Sequence, residues 1–129
     1  LPAPLATLRE LHGRLAAGGR LIVSAPNAAS AAAETFGADW PGWDLPRHQN
    51  HFTPETLAEM LRRADFAGVE LCWKRRTSRW LRGARLRAES TGSRFWRCAA
   101  ASRKLCSVLA HARSRGERSD EIVATGRKG

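Results

Sequence analysis

Two histidines three residues apart, His48 and His51, stand in a segment that also carries Trp40, Trp43, Asp44, Arg47 and Phe52. Imidazole titrates near neutral pH, so either histidine can take a proton from a hydroxyl or an amine. The competing role is structural, with both rings hydrogen-bonding locally and bracing the loop. A His-x-x-His pair with Asp44 resembles part of a metal site, but a fourth ligand is lacking and no metal is expected. Trp40 and Trp43 are flat apolar groups that suit the wall of an acceptor pocket or, equally, core over a sheet edge. Arg47 can grip an anionic group through two parallel hydrogen bonds, or pair with Asp44 or Glu55. Phe52 completes the set of candidate substrate contacts.

These side chains need a scaffold, and the flanking residues supply one. Pro4 followed by Leu5, Leu8, Leu11 and Leu15 gives apolar spacing of three or four, which predicts an amphipathic helix over 4–16 that ends at Gly18-Gly19. The run Arg20-Leu21-Ile22-Val23-Ser24-Ala25 has the continuous apolar centre of a strand buried on both faces of a parallel sheet. Residues 28–52 lack either periodicity and read as a loop leaving that strand at Asn27, where open α/β sheets meet their ligands. Thr53-Pro54-Glu55 opens a helix, with Thr as N-cap, Pro in the first turn and an acid at the positive end of the dipole. Leu57, Met60, Leu61 and Ala64 form its buried stripe, and the helix should finish near Asp65. Val69, Leu71 and Trp73, alternating with Glu70, Cys72 and Lys74, read as a strand with one better-buried face. Phe95, Cys98, Ser102, Leu105, Leu109 and Ala112 predict one helix over 93–112, with a shorter helix around Trp80. Ile122-Val123-Ala124-Thr125 closes the chain as a short strand. Helix and strand in alternation define the class as α/β.

With 129 residues, 43% hydrophobic and 26% charged, the chain suits one globular domain. Its three cysteines, Cys72, Cys98 and Cys106, are widely spaced and odd in number, so they imply packing residues in a reducing, cytoplasmic compartment rather than a disulfide framework. The net charge of +10 is lopsided. Residues 1–69 hold six Arg against seven acids, whereas residues 70–129 hold sixteen Lys or Arg against five acids.

The order of motifs resembles a known family. Leu8-Arg9-Glu10-Leu11 through Leu15, then Gly18-Gly19-Arg20-Leu21-Ile22-Val23 and Pro26-Asn27, is similar to the L-x-E-x-x-R-L-L-x-P-G-G-x-L-x-x-x-x-P-N stretch of class I S-adenosylmethionine-dependent methyltransferases. Pro46-Arg47-His48, His51-Phe52-Thr53-Pro54-Glu55-Thr56-Leu57 and Asp65-Phe66-Ala67-Gly68-Val69 resemble the P-R-H-x-x-H-F-S-P-E-T-L and A-G-F segments of one small-molecule branch. Ser119-Asp120-Glu121-Ile122-Val123 resembles that branch's closing strand. The resemblance implies the later half of a Rossmann-like sheet: about three strands over 1–73 and 119–129, with a basic helical insertion at 74–118. It also implies S-adenosylmethionine as cofactor. No G-x-G-x-x-G occurs here, so the cofactor-binding residues are expected in an N-terminal half that would precede Leu1, a partner without which this chain should bind the cofactor poorly.

Methyl transfer from a sulfonium is an in-line displacement, so alignment supplies most of the catalysis and a base is needed only where the acceptor must lose a proton. The resemblance thus makes His48 and His51 candidate catalytic bases, and Asn27, Trp40, Trp43, Arg47 and Phe52 candidate contacts to a small-molecule, lipid-linked or sugar-linked acceptor. The basic segment 74–118 is open to four readings: a cap for an anionic substrate, a peripheral membrane contact, a nucleic-acid surface, or a solvated hairpin. A non-catalytic basic module binding nucleic acid or an anionic surface is the alternative function, and a degenerate remnant that cannot fold alone is a third.

Overall fold

The computed structural model describes residues 2–129. Helix α1, Pro4–Arg14, leads through Gly18-Gly19 into strand β1, Arg20–Pro26. Gly18 has φ +71°, a conformation glycine adopts without a Cβ clash, and its N–H donates to the Lys128 carbonyl. Helix α3, Pro54–Arg63, begins as its sequence dictates. The Thr53 hydroxyl accepts from the Thr56 N–H while the Thr56 hydroxyl accepts from the Thr53 N–H, a reciprocal capping box. Leu57, Leu61 and Ala64 are buried, and Met60 is half-buried.

Strand β2, Phe66–Lys74, starts earlier than the alternation suggests because Phe66 and Ala67 already pair, before a bulge that reaches Glu70. Strand β3, Glu121–Lys128, is longer than expected and lies in the middle of a sheet ordered β1-β3-β2, antiparallel to both neighbours. β1 and β2 therefore point the same way without touching. This corrects the expectation of a strand buried on both faces in a parallel sheet: β1 pairs antiparallel with β3, and Ile22 is 69% exposed. The cause is lack of cover. α1 and α3 bring Leu8, Leu57 and Leu61 against Ile122, Ala124 and Ala25, whereas among the described residues no helix covers the face bearing Ile22 and Cys72.

Residues 28–52 are not a plain loop. Ser30 caps a short helix α2, Ala31–Phe36, by accepting from the Ala33 N–H, and a 3-10 turn follows at Gly37–Asp39. Its alanines are buried rather than periodic, which is why no apolar stripe announces it. The segment after β2 also differs from expectation. Around Trp80 lies the longest helix, α4, Thr77–Thr91, and the single helix over 93–112 is two, α5 (Arg94–Ala101) and α6 (Arg103–Arg113). Ser102 divides them by leaving helical geometry, at φ −121° and ψ 103°, and capping α6 through the Leu105 N–H. The break changes the buried phase: Ala99, Cys106 and Ala110 face inward, while Phe95, Cys98 and Ala112 are exposed. Cys106 is thus a packing residue, but Cys72 and Cys98 are not.

These helices build a second core. Phe36 meets Trp80 edge-on at 5.3 Å and Trp96 at 5.2 Å, with Trp40, Ala84, Ala99 and Cys106 packed around them. α4 comes close at Gly83, where an added Cβ would lie 2.6 Å from the Phe36 ring. Gly83→Ala should therefore cost about 1–2 kcal/mol, since overpacking exceeds the gain in helix propensity. Gly13, on α1, has open space around it, so Gly13→Ala should stabilise by about 0.5–1 kcal/mol. Urea-denaturation midpoints of the two variants should move in opposite directions.

Candidate functional site

Strand β1 ends, β2 ends and β3 begins at one edge of the sheet, with Pro26 and Lys74 both opposite Glu121. Asp120, one residue earlier, is fully buried. Its carboxylate accepts from the Arg76 N–H at 2.7 Å and from the Trp80 indole N–H at 2.9 Å. Its carbonyl accepts from the Asn27 N–H at 3.1 Å and from the Arg79 guanidinium at 2.6 Å. Burial pushes the Asp120 carboxyl above its ordinary value, against the downward pull of the Arg76 N–H and the Trp80 indole. Glu121 is gripped differently. The Arg76 guanidinium donates to both its oxygens, at 2.6 and 3.0 Å, and the Ser24 hydroxyl donates at 2.5 Å, which holds the carboxyl down at about 2.

None of Arg76, Arg79, Trp80, Asp120 or Glu121 figures among the site residues read from sequence. The arginines are hidden in a run of basic residues, and nothing local pairs them with acids more than forty positions later. The sequence-read residues are placed as follows. Asn27 is fully buried; its amide donates to the Glu117 and Ser119 carbonyls at 2.7 and 2.9 Å, and its oxygen accepts from the Ala29 N–H. All its hydrogen-bonding capacity thus goes to backbone, and it pins the 28–30 turn to the approach of β3. Phe52 bridges Asn27 as an isolated parallel pair.

Trp40 is buried in the second core, its indole N–H without a partner, and Trp43 meets it edge-on at 4.8 Å. The Trp43 indole donates to the Gly37 carbonyl. His51 packs edge-on against Trp43, and its Nε2–H donates to the Trp43 carbonyl at 3.0 Å. His48 Nδ1 faces the Gly42 carbonyl at 3.3 Å; a carbonyl only accepts, so Nδ1 carries a proton, and in the neutral ring the lone pair is on Nε2. Arg47 is largely exposed, 3.8 Å from Asp44. Among the described residues no cluster of three or more His, Cys, Asp or Glu is arranged to hold a metal ion.

The structure brings Arg47, His48 and Phe52 together around a cavity of about 180 Å³ at the free edge of β1, lined also by Val23, Ser24 and Pro26. Trp40 and Trp43 line a different, open groove against Arg82 and Leu86 of α4. His51 belongs to neither lining. The small cavity is below the roughly 300 Å³ at which ligand pockets begin, and no glycine-rich turn follows any strand. These residues alone therefore do not fit S-adenosylmethionine.

An antiparallel strand set between two mutually parallel strands, with α3 connecting them, defines part of a Rossmann-like α/β domain. A family model described as a methyltransferase domain matches residues 1–71, and the chain belongs to that family. No curated protein and no solved structure matches it. No described helix is long and apolar enough to cross a membrane.

The pair of buried Glu121 with half-exposed Arg76 makes stability depend on pH. The folded-state value of Glu121 is depressed, so its contribution is complete above about 4.5 and is lost as pH falls toward about 2. That loss is on the order of 3 kcal/mol. Asp120, raised by burial, works in the opposite direction: its contribution favours the fold at low pH and weakens as pH rises. Stability measured from pH 6 to about 2 should fall less steeply in Glu121→Gln than in the native chain, and parallel curves would contradict the pairing.

Proposed function

We propose that this chain supplies the acceptor side of an S-adenosylmethionine-dependent methyltransferase whose cofactor cradle lies outside the residues described. The observation that carries the reading is the free edge of β1. Its outward hydrogen-bonding groups and the uncovered face around Ile22 are suited to receive another strand and helix layer, and the candidate base stands beside that edge. The match to the methyltransferase domain over 1–71 supports the same reading. The acceptor is a small molecule, in its free or lipid- or sugar-linked form.

The residues present do not cradle the cofactor. The chain's own contribution is positional and basic. His48, anchored through Nδ1 to the Gly42 carbonyl, presents Nε2 as the acceptor for a proton leaving a hydroxyl or amine. His51 acts by positioning: its contacts with the carbonyl and ring of Trp43 hold the loop that carries His48. Arg47, largely exposed and loosely paired with Asp44 at 3.8 Å, is available to an anionic group on the acceptor.

Calorimetry of the 129-residue chain with S-adenosylmethionine should show binding weaker than about 1 mM, and micromolar binding would overturn this division of labour. In a polypeptide, or pair of polypeptides, that carries both this chain and the cradle, labelled methyl should pass to the acceptor. There His48→Ala should lower kcat by about 10²-fold or more with little change in acceptor KM, and should remove the corresponding limb of the pH profile. An unchanged kcat would remove His48 as the base.

A further inference from the structure

We infer that the outer face of α5 and α6 is a docking surface for an anionic lipid bilayer. Among the fourteen basic side chains of residues 74–118, the structure separates those that are occupied from those that are not. Arg76 and Arg79 hold Glu121, Arg87 holds Asp39 with help from Ser90, and Arg118 holds Glu34. Arg75, Arg97, Arg113 and Arg115 donate to backbone carbonyls or, in Arg113, to the Thr35 hydroxyl. By contrast, Lys74, Arg82, Arg85, Arg94, Arg103 and Lys104 are exposed and make no side-chain hydrogen bond or ion pair with any described residue. Glu89 is the single acid on α4, α5 and α6.

Charge alone would suit any polyanion. What narrows the partner is the apolar surface set among these cations. Phe95, beside Arg94, is 55% exposed, and Val108, one turn after Lys104, is 63% exposed. Neither belongs to the core, which α5 and α6 fill with Ala99, Cys106 and Ala110, although the Phe95 ring meets Trp96 edge-on at 4.9 Å. Cys98 and Ala101 on α5, and Ala112 on α6, are also exposed. A phosphodiester backbone would neutralise the cations and leave Val108 in water. A bilayer interface takes both, with lipid phosphates at the Arg and Lys heads and the Phe95 and Val108 side chains at the acyl boundary. At eight and eleven residues the helices are far too short to span, so they lie on the surface.

The inference goes beyond the methyl-transfer reading and does not rest on it, since it can be tested with neither methyl donor nor acceptor. The experiment is flotation of the full chain with phosphatidylcholine vesicles containing about one-third phosphatidylglycerol, at physiological ionic strength, beside vesicles of phosphatidylcholine alone. The chain should float with the anionic vesicles only. Arg94→Gln/Arg103→Gln/Lys104→Gln should weaken partition about 100-fold, at roughly fivefold per charge. Phe95→Ser/Val108→Ser should weaken it about tenfold. All five positions are exposed, and circular dichroism of each variant should match the native chain. Equal flotation with both vesicle types, or none with either, overturns the proposal. So does a Phe95→Ser/Val108→Ser variant that binds like the native chain, or tighter retention on single-stranded RNA than on anionic vesicles; these outcomes would leave a purely electrostatic surface.

Discussion

A buried carboxylate at the start of the last strand holds this structure together. The Asp120 carboxylate ties the Arg76 N–H, two residues past β2, to the Trp80 indole of α4, and its backbone carbonyl takes the Asn27 N–H just after β1 and the Arg79 guanidinium. The Asn27 and Arg76 N–H groups have Asp120 as their partner, while the Trp80 indole is shared with the Ser114 hydroxyl and the Arg79 guanidinium with Glu121. Removing one side of such an arrangement typically costs several kcal/mol, because the remaining polar groups keep their desolvation penalty. Glu121 adds a second, partly exposed clamp through Arg76 and Ser24. The sheet and the helical insertion meet at these two adjacent acids, and Trp80, hydrogen-bonded to Asp120, also packs at the centre of the second core against Phe36.

The same junction explains why so basic a segment folds at all. Fourteen cations in 74–118 would repel one another in a compact unit. Arg76, Arg79, Arg87 and Arg118 are paired with acids from elsewhere in the chain, Glu121, Asp39 and Glu34, while Arg94, Arg103 and Lys104 of α5 and α6 stay in solvent. These free cations are the neighbours of Phe95 and Val108, which protrude from the same two helices.

The sheet shows a different imbalance. One face is packed by α1 and α3; the other carries Ile22 at 69% exposure, and β1 has an unpaired edge. Exposed edges of this kind template further pairing unless they are covered. The cavity lined by Arg47, His48 and Phe52 lies at that edge, so the proposed base and the open edge share one location.

Local sequence determined the elements whose signals are local. The Thr53-Pro54 cap, the leucine spacing of α1 and the glycine turn before β1 each act within a few residues and form where their patterns fall. The alternation of 69–74 lies within β2, which pairing with β3 extends back to Phe66. The motif order also carried the family, since it lies within the 1–71 stretch that the methyltransferase domain matches. Tertiary structure decided what depends on distant partners. It placed β3 between β1 and β2, ended α5 at Ser102, and buried Ala99 and Ala110 rather than Phe95 and Ala112. It also separated His48 from His51: three residues apart in sequence, one lines the cavity beside β1 while the other is spent on Trp43. Periodicity reports how apolar a face is but not which neighbour covers it, and an arginine carries no mark of the acid it will meet forty residues later.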